Sequence, residues 1–133
     1  MFRHSLEVRF RDCDPMGHVN NAVYHTYLEQ ARFSHWRDAW GMNFERLPPG
    51  TPDVILARVE MDYRKPAKYG DVLEVRLALE KIGRTSFTYV YEIVDKSGDI
   101  VANARTVLVS YDYSAQKPVV ISDEIRSRLG SPK

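Results

Sequence analysis

The sequence predicts an α+β domain in which a five-stranded antiparallel sheet wraps around one long central helix. Three observations lead there. A period-two apolar run near the start gives way to a run of about twenty residues with apolar side chains at helical spacing. Four Val-, Ile-, Tyr- and Thr-rich runs then follow one another, and their separators are too short for crossover helices. At 133 residues the chain has room for one sizeable core, so residues 1–133 form a single domain.

Taken in order, Ser5 to Phe10 alternates Leu6, Val8 and Phe10 with Glu7 and Arg9, the pattern of a half-buried strand. Arg11 to Asn21 is a loop. From about Asn21 to Trp40, Tyr24, Leu28 and Ala31 make one apolar stripe and Phe33, Trp36 and Trp40 a second, which predicts a largely enclosed helix. Asn20 or Asn21 suits its start and Gly41 its left-handed end. Asn43 to Pro52, with Pro48, Pro49, Gly50 and Pro52, reads as a loop that crosses the surface or lies over a cleft. Strands are expected at Asp53–Arg64, Val72–Ile82, Ser86–Val94 and Ile100–Tyr113, joined by turns at Lys65–Asp71, Gly83–Thr85 and Lys96–Asp99. A short helix is expected from Ser122 to Leu129. An open sheet leaves exposed edges, and pairing with a second copy manages them, so a homodimer is expected.

Composition narrows the function. Nineteen Lys and Arg against eighteen Asp and Glu give no chain-wide pull toward nucleic acid or an anionic membrane. One cysteine allows no internal disulfide and suits a reducing compartment. The opening residues are charged where a secretory signal needs an apolar core. No apolar run approaches the roughly 20 residues of a membrane span. The expectation is a cytoplasmic protein with no nucleic-acid or membrane partner.

Most of the suspicious polar chemistry lies in the loop RDCDPMGHVNN, residues 11–21. Asp12, Asp14 and His18 have no further ligand at a familiar spacing, which argues against a metal. An aspartyl nucleophile for phosphoryl transfer would need a parallel α/β scaffold, which the later strands do not make. Cys13 sits between two carboxylates that oppose thiolate formation. No Gly-x-Ser-x-Gly elbow occurs. Asp14 reads either as an Asx-turn residue or as a carboxylate aimed by Pro15 and Gly17 at the start of the long helix. That helix start presents unpaired N–H groups, a seat for a developing oxyanion. His18 and Asn20 read as structural or cap residues beside it, and Asp12 as a turn or ion-pair residue with Arg11 or Arg32.

The pattern D-x-D-x-x-G-H-V-N-N over Asp12–Asn21, followed by Tyr24, Tyr27, Glu29, Ala31 and Arg32, resembles the hotdog-fold acyl-CoA thioesterases of the 4-hydroxybenzoyl-CoA thioesterase-like subgroup. The Lys65-Pro66-Ala67…Gly70-Asp71 turn and Gly83-Arg84-Thr85-Ser86-Phe87 extend the likeness over nearly the whole chain. It implies a hotdog fold and hydrolysis of a fatty or aromatic acyl-CoA. Asp14 is then the catalytic nucleophile or general base, and the Asn21 amide the oxyanion donor. His18 and Asn20 take positioning roles on the substrate side; Tyr24, Tyr27, Phe33 and the Pro48–Pro52 loop read either as ordinary core or as the walls of a pocket for an aromatic or fatty chain. Lys65, Arg84 and Ser86 are implied contacts for coenzyme A, with Lys68 a further basic candidate. Plant acyl-carrier-protein thioesterases use a histidine at the position of His18, but their additional asparagine falls at Met16, so that mechanism does not transfer whole. No cofactor is implied beyond the coenzyme A of the substrate, and the assembly implied is a homodimer or a tetramer of two dimers. A non-catalytic acyl-CoA-binding module and an acyl-CoA hydratase or dehydratase are the alternatives.

Overall fold

The computed structural model describes residues 1–41, 54–130 and 132, and for Trp40 only the backbone; the expected Asn43–Pro52 loop and the first residue of the Asp53–Arg64 run lie outside the described residues. Element order is β1 (Phe2–Glu7), a 3₁₀ turn (Phe10–Asp12), α1 (Val23–Trp40), β2 (Val54–Tyr63), β3 (Val72–Ile82), β4 (Ser86–Val94), β5 (Ile100–Asp112), β6 (Lys117–Pro118) and α2 (Asp123–Leu129). The sheet runs β1-β3-β4-β5-β2, every pair antiparallel, with β6 added on β5.

Strand chemistry explains both faces. In β3 the buried side chains are Leu73, Val75, Leu77 and Leu79; in β4 they include Phe87, Tyr89, Tyr91 and Ile93. With Ala102, Ala104 and Leu108 of β5 these form one core with Tyr24, Tyr27, Leu28, Ala31 and Trp36 of α1. Each large side chain so buried contributes roughly 1.5–3 kcal/mol. The opposite face is charged, and Arg105 reaches Glu80 across the strands at 2.8 Å. Register shifts at Leu56/Arg58, Leu79/Lys81 and Ile93/Val94 insert irregularities that bend a sheet, and this bending curls it around α1.

Polar groups of the core are paired across elements. The Trp36 indole N–H donates to the Tyr89 hydroxyl at 3.0 Å, and Tyr91 lies 2.6 Å from Thr106 Oγ1. Burial pushes both tyrosine hydroxyls upward in pKa, which keeps them neutral donors. Arg32 is buried and donates through Nη1 to Tyr91 at 3.3 Å.

Several expectations need correction. The first strand is Phe2–Glu7 and not Ser5–Phe10, because the Asp12 carboxylate accepts the Arg9 N–H at 2.9 Å and turns the chain out of the sheet. Phe10, expected to point inward, is therefore 78 % exposed. The helix starts at Val23, after a turn, and ends as expected at Gly41 with φ +64°. It is not fully enclosed within one chain: His25, Thr26, Glu29, Gln30 and Arg37 are exposed, and Phe33 with them. The sheet has a sixth, two-residue strand, β6, where Tyr111 pairs with Pro118. In α2, Ser122 caps the helix by accepting the Ile125 N–H at 3.2 Å.

Candidate active site

The loop between β1 and α1 is built as a small closed hairpin. Cys13 bridges Val19, the Asp14 N–H donates to the His18 carbonyl at 3.0 Å, and the Gly17 N–H donates to the Asp14 carbonyl at 3.0 Å. Gly17 sits at φ +89°, a backbone conformation that only glycine takes without strain. Asp14 Oδ1 accepts the Met16 N–H at 3.0 Å, so the Asx turn is real. The other carboxylate oxygen has no hydrogen-bond partner among the described residues.

Asp12 anchors the hairpin from beneath. It is 2 % exposed, and its carboxylate accepts the Arg9 N–H, the Arg9 guanidinium at 2.9 Å and the Tyr27 hydroxyl at 2.8 Å. Burial alone would raise this carboxyl, but the bonds from Arg9 and Tyr27 outweigh it and hold the group below its ordinary value. The partner of Asp12 is thus Arg9, neither Arg11 nor Arg32. On the other side Tyr27 is pushed up, first by burial and then by that same bond. The Asp12 main-chain oxygen accepts the Asn20 N–H at 2.9 Å, and the Val19 N–H reaches the buried Ala67 carbonyl at 2.8 Å. Asp12 thus holds the loop that carries Asp14.

The turn before α1 is ordered by side chains. Asn20 Oδ1 accepts the Ala22 N–H at 2.9 Å, and the Asn20 carbonyl accepts the Val23 N–H at 2.9 Å. The Tyr63 hydroxyl at the end of β2 donates to the Asn21 carbonyl at 3.0 Å. Among the described residues the Asn21 N–H has no protein acceptor.

These parts meet in a cleft of about 460 Å³ between the hairpin, the start of α1 and the end of β2. Asp14, His18, Asn21, Tyr24 and Lys65 line it, as expected of site residues, together with Tyr63. His18 Nδ1 lies 3.4 Å from the Val19 carbonyl oxygen, and no hydrogen bond joins it to Asp14 among the described residues. Tyr24 is buried, which raises its hydroxyl, and its ring meets Tyr63 edge-on at 5.4 Å.

Three placements differ from the expected ones. Asn20 does not line the cleft; its amide serves the turn behind it. The Lys65 ammonium, expected to meet phosphate, is engaged by Asp95 at 2.6 Å and Asp99 at 2.9 Å, so its charge is already matched. Arg84 and Ser86 lie elsewhere: Ser86 pairs with Val109 while Tyr63 pairs with Ala102, about 23 Å along β5 at the rise of a strand. Tyr63 is the residue that sequence reasoning missed. It closes a strand-like run and stands 42 positions from Asn21, so no local spacing ties the two. Among the described residues no group of three or more His, Cys, Asp or Glu is placed to hold a metal ion.

Residues 8–129, the span from β1's end to α2, match the sequence profile of the thioesterase-like superfamily. The long-chain acyl-CoA thioesterase FadM of Escherichia coli is 26 % identical over 125 residues, covering 93 % of each chain. A crystal structure of a thioesterase from Thermus thermophilus, complexed with coenzyme A and Zn, superposes with a TM-score of 0.79 at 32 % identity over 97 % of both chains. A protein from Aquifex aeolicus gives a TM-score of 0.88 at 30 % identity, covering 98 % of this chain and 100 % of that one. With the profile spanning the helix, the curled sheet and the cleft alike, the chain belongs to the thioesterase-like superfamily and is a thioester hydrolase of the hotdog fold.

Proposed function

We propose that the protein hydrolyses the thioester of a fatty or aromatic acyl-CoA to the free acid and coenzyme A. One observation carries this reading: among the described residues Asp14, with one carboxylate oxygen unengaged, and Asn21, with its main-chain N–H unpartnered, line the same cleft. The names of FadM and of the Thermus protein bound to coenzyme A support the substrate class.

The chemistry needs little else. Either Asp14 draws a proton from a water that attacks the thioester carbon, or its oxygen attacks directly and leaves a mixed anhydride for water to open. In both versions negative charge gathers on the carbonyl oxygen, where the Asn21 N–H stabilises it. The carbon–sulfur bond then breaks, and a thiol of pKa about 8.5 departs as thiolate without a strong general acid. The reading calls for no resident cofactor. The test is thiol release from a panel of fatty and aromatic acyl-CoAs, followed with a thiol-reactive dye in the presence of EDTA. Turnover unaffected by the chelator is expected. Tight binding with no thiol released would instead mark a carrier module, and loss of an enoyl absorbance without thiol a hydratase.

Coenzyme A recognition is proposed to involve a second, cytoplasmic copy. β2 is an unpaired sheet edge, and a two-fold pairing of β2 with a second β2 would run antiparallel. That arrangement sets each cleft, at the Tyr63 end, beside the far end of the other chain, where Arg84 and Ser86 stand. Arg84→Ala is expected to raise KM about three- to fivefold with kcat unchanged, the size of one exposed charge contact, and to weaken the dependence of KM on salt. Light scattering should return a dimer or a tetramer of two dimers; a monomer that turns over normally would remove this part of the reading.

A further inference from the structure

We infer that Tyr63 is a positioning residue for the hydrolysis, its hydroxyl fixing the Asn21–Ala22 peptide, which directly follows the peptide of the oxyanion donor. The inference rests on the reading of Asp14 and Asn21 given above.

The geometry is that of one free donor among fixed neighbours. Working along the main chain, the Asn20 N–H is bonded to Asp12, the Asn20 carbonyl to Val23 and the Ala22 N–H to Asn20 Oδ1. The Asn21 carbonyl would be free but for Tyr63, whose hydroxyl donates to it at 3.0 Å. The Asn21–Ala22 peptide is therefore clamped at both ends, by the Asn20 side chain within the loop and by Tyr63 from the sheet. Within Asn20–Ala22 the Asn21 N–H alone is left without a partner among the described residues, and the clamp fixes the peptide next to the one that carries it, at a residue that lines the cleft. A donor aimed in advance stabilises developing charge without reorganising during the reaction.

Tyr63 is suited to this and poorly suited to supporting the core. It is 46 % exposed, it packs edge-on against Tyr24 at 5.4 Å, and its hydroxyl makes no other bond among the described residues. Phenylalanine preserves the ring contact and removes only the clamp, so the fold is retained. Without the clamp the Asn21–Ala22 peptide can turn about the Asn21 Cα, and the preceding Asn20–Asn21 peptide, which carries the donor N–H, is then held among the described residues only by the bond its carbonyl accepts from the Val23 N–H. Full removal of an oxyanion donor costs about 10²- to 10³-fold in kcat, and a loosened one should cost less.

Tyr63→Phe is expected to lower kcat about 10- to 100-fold while KM stays within about threefold, the signature of an interaction felt only in the transition state. Asn20→Ala frees the other end of the same peptide, so the double variant should lose much less than the product of the two single losses. A kcat within twofold of the native enzyme overturns the inference. So does a rise in KM that matches the loss of kcat/KM, which would make the hydroxyl a substrate contact, or single losses that simply multiply. If Asp14→Ala is inactive and Tyr63→Phe is normal, this inference alone fails; if Asp14→Ala is active, the reading beneath it fails.

Discussion

Asp14→Ala is expected to lower kcat by about 10³-fold or more and to leave KM within a few fold, as measured by thiol release under saturating acyl-CoA. The size follows from the role. Whether Asp14 attacks the carbon or activates a water, no other carboxylate among the described residues lines the cleft to take its place. KM should hold because the apolar walls, Val19, Tyr24, Tyr63 and Pro66, are untouched. A structural contribution is also removed, since the Met16 N–H loses its acceptor, but that bond lies in an exposed turn where water can replace it. Asp14→Asn separates the two effects. Its amide oxygen can keep the Asx turn, yet it can neither accept the proton nor attack. Asparagine and alanine variants equally inactive, with melting temperatures close to native, are the expected pair. An alanine variant that turns over at the native rate would remove Asp14 from the chemistry.

Asp12→Ala should act on stability instead, costing about 2–3 kcal/mol and lowering Tm by on the order of 10 °C. The neighbouring aspartate differs only in its surroundings. Removing its carboxylate leaves the buried Tyr27 hydroxyl and the Arg9 N–H without their acceptor and detaches the hairpin from the helix. Arg9→Ala should cost much less, because the Arg9 side chain is mostly solvent-exposed. The pH dependence has a definite sign. Asp12 titrates in the folded protein below its ordinary value of 3.8, so its contribution is present above that pH and is lost as pH falls through the folded-state value. Thermal unfolding followed between pH 6 and 2 should show an acid limb that is shallower in Asp12→Asn. An unchanged Tm in Asp12→Ala, with kcat lost, would transfer Asp12 to the reaction itself.

Period-two alternation, the absence of crossover helices and one long helical run were enough to predict the antiparallel sheet and its helix, since each depends on contacts local to the element. The closed loop around Asp14 and Asn21 was readable for a similar reason. Pro15, Gly17 and the helix that follows lie within a few residues of them, and the loop they make is closed by its own bonds. The end of the first strand was not readable, because Phe10 looks as apolar as Val8 until the Asp12 carboxylate captures the Arg9 N–H and diverts the chain. Lys65 looked like a free cation because Asp95 and Asp99, which bind it, are thirty or more positions away.

By itself, then, the sequence determined the class of fold and singled out the loop whose residues Asp14 and Asn21 line one cleft. Only tertiary structure decided that Asp12 is an anchor, that Tyr63 reaches the first turn of α1, and that Arg84 stands at the far end of the sheet from Asp14. The physical reason is range. Pattern and turn chemistry act over a few residues, whereas a buried carboxylate, a hydroxyl clamp and a distance along a strand exist only after the curled sheet has brought distant segments together.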